Sequence, residues 1–513
     1  MAETRKIKHR KNNKPWQKDG VKPPAANRNE TDNRPRPQSP REKTSAYNNP
    51  GEASRRPAAP SGAGVRKSDS RGPRYESGSR PRPRPPHAPA PGRYESDSRP
   101  RPPAPVKAVE VKPAVMGYAE YVGEVCRDFP NKVLFDIHAA DPLAGFTYPD
   151  ECLIKQKALE LFWKKNDIPG IPEKIIPSPL SRGYRTNSKR RVLFYKGKVS
   201  LTLEQSRCEP GTLQQSSLEP VLHLSIYQLL LDLLSSVNYQ MLARSLNYCI
   251  IRGSYTSCSV ILNVHTVDNI VVRKIKQLAA TLKKDDPRII SCFMYVDPTK
   301  SDYYLESKRP EKGVALKKLF GPENIDITVD GIRLLYPPTI FSQVNESMLP
   351  NFTGAIRELL KLTAETRMLD LYCGYGLIGL TSAPYAGSVI GMDIEGPAIH
   401  AAIENAKYHF PGRPLKFIAS PVTADSLSDK LPPPNTKEVV LLDPPRSGTA
   451  HGVIETIAER QPLRILHIFC GTDEIPRELQ EWNKHGYIPK RILPLDMFPG
   501  SPNLETMILL EPK

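Results

Sequence analysis

The chain has 513 residues, enough for two or three domains, and carries 73 Lys and Arg against 55 Asp and Glu, a net charge of +18. Residues 1–114 hold 27 of those basic residues and only 11 acidic ones, so the remainder is close to neutral and any recognition there must come from local patches. Eight cysteines without a CxxC pair argue against a metal site, either zinc or iron–sulfur, and for reduced thiols in a cytoplasmic setting; no apolar run reaches membrane-spanning length, and no secretory segment follows Met1.

Residues 1–114 are rich in Pro, Arg, Ser and Asn and poor in large apolar side chains, which predicts a disordered basic tail. A ten-residue unit, Arg74 to Pro83, recurs as Arg93 to Pro102. Two such copies in a Pro-rich frame describe a flexible arm. Its charge suits loose, salt-dependent attachment to RNA, with Tyr75 and Tyr94 free to stack on bases, or else a solubilising extension. The basic run at residues 5–14 belongs to the same arm or is a nuclear-import signal if the chain is eukaryotic.

Residues 115–340 read as a central α+β domain that binds the substrate. Glu151 to Lys165 has the spacing of an amphipathic helix, with Leu153, Ala158, Leu161 and Phe162 as its apolar set. Leu222 to Leu234 predicts a buried helix, and residues 192–195, 260–264 and 292–296 predict strands. The segment Ser181 to Arg191 is dense in Arg around one aromatic. Tyr184 and Arg185 in it are candidate RNA contacts, the alternative being a solvated turn.

Residues 341–513 alternate strand and helix. Strands are expected at 367–372, 388–393, 414–418, 438–442 and 463–469, helices at 376–386, 396–408, 450–460 and 473–485, and two closing strands near 487–493 and 504–510. That is the pattern of an α/β, Rossmann-like doubly wound sheet.

Three strand ends carry the chemistry, and open α/β sheets bind ligands at that edge. The first is Asp370 to Gly376, where Gly374 and Gly376 let a ligand approach the backbone at a helix amino end. Asp393 ends the next strand, 17 positions after Gly376, where an acid receives ribose hydroxyls. The second is Asp443-Pro444-Pro445-Arg446: the carboxylate can accept hydrogen bonds from a base imide, and Arg446 can offset charge or bind phosphate. The third is Cys470, a thiol at a strand end just before a helix.

These motifs resemble those of the RNA uracil carbon-5 methyltransferases, which make 5-methyluridine in tRNA and rRNA. The resemblance runs through Phe341-Ser342-Gln343-Val344-Asn345, the Leu369 to Gly376 loop, Asp443 to Gly448, Cys470, and Asp496-Met497-Phe498-Pro499 followed by Glu505. It implies a class I methyltransferase sheet and S-adenosyl-L-methionine as cofactor, held by Gln343, Tyr372, Gly374, Asp393 and Asp443. It further implies Cys470 as nucleophile, Glu505 as general base, Arg446 at the substrate, and a monomeric enzyme whose partner is RNA (tRNA or rRNA). The chain departs from the family where Gly471-Thr472 replaces the usual Asn-Pro after the cysteine, and where Leu377 replaces a polar residue of the glycine loop. The alternative is an RNA-binding, methyltransferase-like protein with another target or without catalysis.

Overall fold

The structure, a computed structural model, describes residues 116–129, 141–203, 209–300 and 315–513. The basic tail, its repeat and its import-like run lie outside the described residues. In chain order the elements are α1 (Tyr118–Arg127), α2 (Tyr148–Lys165), β1 (Asn187–Tyr195), β2 (Lys198–Thr202), α3 (Val221–Ser235), α4 (Gln240–Ser245), β3 (Leu246–Gly253), β4 (Cys258–Val264), α5 (Asn269–Asp285), β5 (Ile289–Val296), β6 (Ala315–Phe320), β7 (Ile325–Val329) and β8 (Ile332–Tyr336). They continue with α6 (Leu349–Leu360), β9 (Arg367–Leu371), α7 (Leu377–Ser382), β10 (Ser388–Asp393), α8 (Pro397–His409), β11 (Leu415–Ala419), α9 (Ala424–Lys430), β12 (Glu438–Leu442), α10 (Val453–Glu459), β13 (Arg464–Phe469), α11 (Ile475–Lys484), β14 (Tyr487–Leu495) and β15 (Glu505–Pro512).

The C-terminal sheet has the order β11-β10-β9-β12-β13-β15-β14. Its first five strands are parallel and β15 runs antiparallel to β13 and β14. Helices cover both faces, so its central strand β12 is apolar and buried from Val439 to Leu442. Val440 and Leu442 of β12 face one core with Ile457 and Leu479, whereas Val439 and Leu441 face the other with Phe352 and Ile356. Strand order reverses beside β9, which opens a crevice at the carboxyl ends of β9, β10 and β12.

A second sheet, β2-β1-β3-β4-β5-β6, carries α3, α4 and α5 on one face. Asp268 caps α5 by accepting from the Val271 N–H at 2.7 Å. The hairpin β7–β8 packs instead on the α7–α8 side of the C-terminal sheet, where Asn405 exchanges two hydrogen bonds of 2.9 Å with the Leu335 backbone.

Two sequence readings change here. Helices α1 and α2 fall in the stretch assigned to the central domain, yet Tyr118, Tyr121, Ile154, Ala158, Leu159 and Phe162 share one core with Leu369, Val440 and Trp482 of the C-terminal sheet. Leu153, read as part of the apolar face of α2, is 45% exposed, and Ile154, Leu159 and Trp163 are buried in its place. The expected apolar spacing was offset because the helix buries Lys155 and Glu151 as well. No single helix among the described residues is long and apolar enough to cross a membrane.

Candidate active site

The glycine loop follows β9 directly. Tyr372, Gly374 and Gly376 all take positive φ (65°, 54° and 83°), and Tyr372 is the non-glycine residue forced into the left-handed region. Its N–H donates to Met392 O at 2.9 Å, which ties the ends of β9 and β10 together. Asp393 closes the turn: one carboxylate oxygen accepts from Gly374 N at 2.6 Å and the other from Ile394 N at 2.7 Å. Burial raises the Asp393 carboxyl above the ordinary range against the pull of those two N–H groups. Asp370, fully buried at the end of β9, accepts from Gly379 N at 2.8 Å, while its other oxygen is buried without a partner. The sequence reading had not placed Asp370 in the site, although its position in a strand-end acid motif was visible.

At the end of β12, the Asp443 N–H bonds to Leu371 O at 3.3 Å, so the Asp443 loop stands against the glycine loop. Asp443 is half-buried, and burial first, then the charge of Asp393, pushes its carboxyl up to about 7. Pro445 and Arg446 are exposed at the tip.

Cys470 follows the last residue of β13, Phe469, which pairs with Thr506; Cys470 and Glu505 are therefore next in antiparallel register. Glu505 is 1% exposed, with one carboxyl oxygen buried and unpartnered. Burial, then Asp443, raises its carboxyl well above the usual range, while Arg446 and a hydrogen bond with Cys470 pull it back. Burial pushes the Cys470 thiol up to about 12, Glu505 adds to that, and the charge and hydrogen bond of Arg446 oppose it. Thiol, carboxyl and guanidinium thus meet at one point. Gly471 lies close against the Arg446 backbone: a β-carbon there would sit 3.1 Å from Arg446 O.

The segments carrying these groups are held from the α1–α2 layer. Lys155 donates to Asp496 Oδ1 at 2.7 Å, Phe498 O at 3.0 Å and Asn503 O at 3.2 Å, and so clamps the turn that leads to Glu505. Tyr148 Oη donates to the other Asp496 oxygen at 3.1 Å, and Glu151 accepts from Gly500 N at 2.8 Å. Tyr118 N donates to Asp473 at 2.6 Å, just beyond Cys470. Of this network, a motif marked only Asp496 and Phe498.

The basic loop is corrected. Tyr184 is fully buried and its hydroxyl donates to Pro499 O at 2.9 Å, so its ring is packed inside the protein and is not available to stack on a base. Arg182 pairs with Glu151, and buried Arg190 makes a two-pronged pair with Glu219 at 2.6 Å. Arg185 is half-buried and donates to Asn187 O at 3.1 Å. Arg182 and Arg190 thus hold parts of the protein together, whereas Arg191 is exposed. Gln343 lies half-buried in a segment anchored by Asn345, which donates to Ser178 Oγ at 2.9 Å and Met497 O at 3.2 Å.

The sheet order and helix layers define an α/β methyltransferase fold. Among solved structures, the tRNA (uracil-54, C5)-methyltransferase of Pyrococcus abyssi in complex with S-adenosyl-L-homocysteine superposes with a TM-score of 0.54 at 19% identity, over 73% of this chain and 86% of that one. In sequence, the chain is similar to proteins named as RNA methyltransferases. An uncharacterized RNA methyltransferase of Halalkalibacterium halodurans is 29% identical over 240 residues, 45% of this chain and 48% of the relative. The 23S rRNA (uracil(1939)-C(5))-methyltransferase RlmD of a Marinomonas species is 34% identical over 182 residues, 36% of this chain and 40% of the relative. The chain spans about half or less of the length of these curated relatives. No protein-family model matches it. The resemblance drawn from the ordered motifs is borne out by these similarities.

Proposed function

We propose that the chain transfers a methyl group from S-adenosyl-L-methionine to carbon 5 of a uridine in RNA, through a covalent bond between Cys470 and the base. The observation that carries this reading is the meeting of Cys470, Glu505 and Arg446 beside the Asp443 loop, at the carboxyl edge of the sheet. The names of the relatives support the class of reaction and the polymer it acts on.

The residues present fit the cofactor. A β-carbon at Gly374 would meet nothing within 4 Å, so the loop leaves room above its backbone. Asp370 keeps a buried carboxyl oxygen without a partner, and Asp393 stands at the end of β10. Gln343, Tyr372, Gly374, Asp393 and Asp443 would hold the cofactor, which supplies an electrophilic methyl group when bound.

The protein's own groups then have distinct tasks. Carbon 5 of uracil is a weak nucleophile. The thiol of Cys470 gives its proton to solvent, and the thiolate's bond to carbon 6 moves an electron pair towards the base oxygen and makes carbon 5 electron-rich. Arg446 favours the thiolate over the thiol and balances the charge that develops on the base. Asp443 orients the imide. After methylation, Glu505 takes the hydrogen from carbon 5, the electron pair returns to the ring, and the carbon–sulfur bond breaks. A base inside a stack cannot reach such an edge, so the target uridine leaves its stack.

The test is transfer of an isotopic methyl from the cofactor to unmodified tRNA and rRNA by the full-length protein, followed by nucleoside analysis. Label in 5-methyluridine is the expected result; label only in another nucleoside, or none, overturns the proposal.

A further inference from the structure

The geometry points to a second-tier acid, Glu478, as the positioning residue that sets Arg446 against the Cys470 thiol; this inference rests on the reading of Cys470 and Arg446 above. Glu478 is 3% exposed in the first turn of α11, five residues past the segment that Tyr118 holds at Asp473. Its carboxylate grips the loop behind Arg446 at two points: one oxygen accepts from Thr449 N at 3.2 Å, the other from Thr449 Oγ1 at 2.7 Å. Arg477 completes the grip by donating to Glu478 at 2.8 Å and to Ser447 O at 3.0 Å.

These groups pack closely. Gly448 takes φ +77°, and a β-carbon there would collide with Arg477 Nη2 and lie 2.5 Å from Glu478 Oε1. On the other side, Gly471 presses to within 3.1 Å, measured from its would-be β-carbon, of Arg446 O. The Arg446 backbone is therefore wedged between the residue after the nucleophile and a loop fastened by Glu478. That packing sets the backbone position from which the Arg446 guanidinium extends towards the thiol.

His467 of β13, three residues before Cys470, lies close to Glu478 without bonding to it. Trp482 Nε1 donates to His467 Nδ1 at 3.0 Å, which puts the ring proton on Nε2. That N–H is buried without a closer partner and lies 3.9 Å from Glu478 Oε2. The charged and titratable groups around Glu478 are thus Arg477, Glu474, His467 and Tyr372. Tyr372 belongs to the glycine loop, so the charge of Glu478 is felt there as well as at the loop of Arg446.

A carboxylate can accept from all of these donors, whereas the amide of Glu478→Gln must turn an N–H₂ group towards one of them. The experiment is the rate of iodoacetamide modification of Cys470 in the full-length protein at pH 8, followed by peptide mass spectrometry, for wild type, Glu478→Gln, Thr449→Val and Arg446→Gln. Alkylation reports the thiolate fraction, which Arg446 raises and Glu505 and Asp443 lower. Glu478→Gln and Arg446→Gln are expected to slow Cys470 alkylation by roughly five- to tenfold, and Thr449→Val by about half that factor. Half-buried Cys152 should react as in wild type, and kcat should fall while KM for RNA changes little. Slow alkylation in Arg446→Gln with wild-type rates in both Glu478→Gln and Thr449→Val overturns the role of Glu478 and leaves the nucleophile reading standing. Wild-type alkylation in Arg446→Gln removes Arg446 from the thiol, and the role of Glu478 with it. If Glu478→Gln does not fold, Thr449→Val alone decides, because it removes one hydrogen bond and leaves the acid in place.

Discussion

Lys155 and Asp496, 341 positions apart in the chain, form an ion pair of 2.7 Å in which both side chains are fully buried. The same ammonium donates to Phe498 O and Asn503 O, so all three of its protons are used on the turn that precedes Glu505. A helix at the start of the described chain thereby fixes the position of an acid at its end. Removing one partner leaves an uncompensated buried charge, which costs about 3–5 kcal/mol. Lys155→Met should therefore lower the melting temperature sharply, and Lys155→Met with Asp496→Asn should recover part of the loss. Thermal unfolding of the two variants checks this; a single variant within 1 kcal/mol of wild type, about a small surface effect, would remove the clamp from the account.

Glu505 is assigned to the last proton transfer. Glu505→Gln should permit attack by Cys470 and methyl transfer but slow the elimination. Methylated RNA should accumulate bound to the protein and run as a slow band on a denaturing gel. Loss of cofactor binding without any such band would make Glu505 structural.

Asp443 predicts a pH dependence of stability. Its folded carboxyl is raised to about 7, chiefly by burial, against an unfolded value of about 4. A group raised in the folded state contributes stability that is fully present below the unfolded value and is lost as the pH climbs through the folded one. Asp443→Asn removes that loss. The variant should melt higher than wild type, by roughly 2 °C or more at pH 8 and by less at pH 5, while cofactor affinity falls. Equal differences at the two pH values would contradict the assignment.

Residues 1–114 carry a net +16 from 27 basic and 11 acidic side chains, and none of the site residues. Deletion of residues 1–110 should weaken RNA binding at low salt and flatten the slope of log affinity against log salt, with turnover at saturating RNA little changed. An unchanged slope across a salt series would assign the tail to solubility or targeting.

Much of the C-terminal sheet and the strand ends of the site could be read from the chain alone. Strands β9, β10, β12 and β13 are mostly apolar runs that end at or next to an acid or a cysteine, and a sheet buried on both faces needs that pattern. The supporting layer was hidden for the opposite reason. Lys155 and Glu151 are charged residues on an otherwise amphipathic helix, and nothing local distinguishes a buried lysine with a partner 341 positions away from a solvated one. Tyr184 misled in the same way. A Tyr among arginines looks like an RNA-binding loop until Glu151 and Glu219 are found opposite those arginines and Pro499 over the hydroxyl. The apolar stripe of α2 was misplaced at Leu153 because two of its inward positions are polar.

The proposed attack of Cys470 on the base can be trapped directly. RNA with 5-fluorouridine at the target has no removable hydrogen at carbon 5, so the adduct cannot eliminate. Wild-type protein incubated with this RNA and S-adenosyl-L-methionine should form a denaturant-stable complex, and mass spectrometry of the digested complex should find the nucleotide on the peptide containing Cys470. Cys470→Ala should form no complex and no 5-methyluridine. A Cys470→Ala protein that still methylates uridine at the wild-type rate, or a nucleotide attached through another residue such as Cys373, would contradict the account.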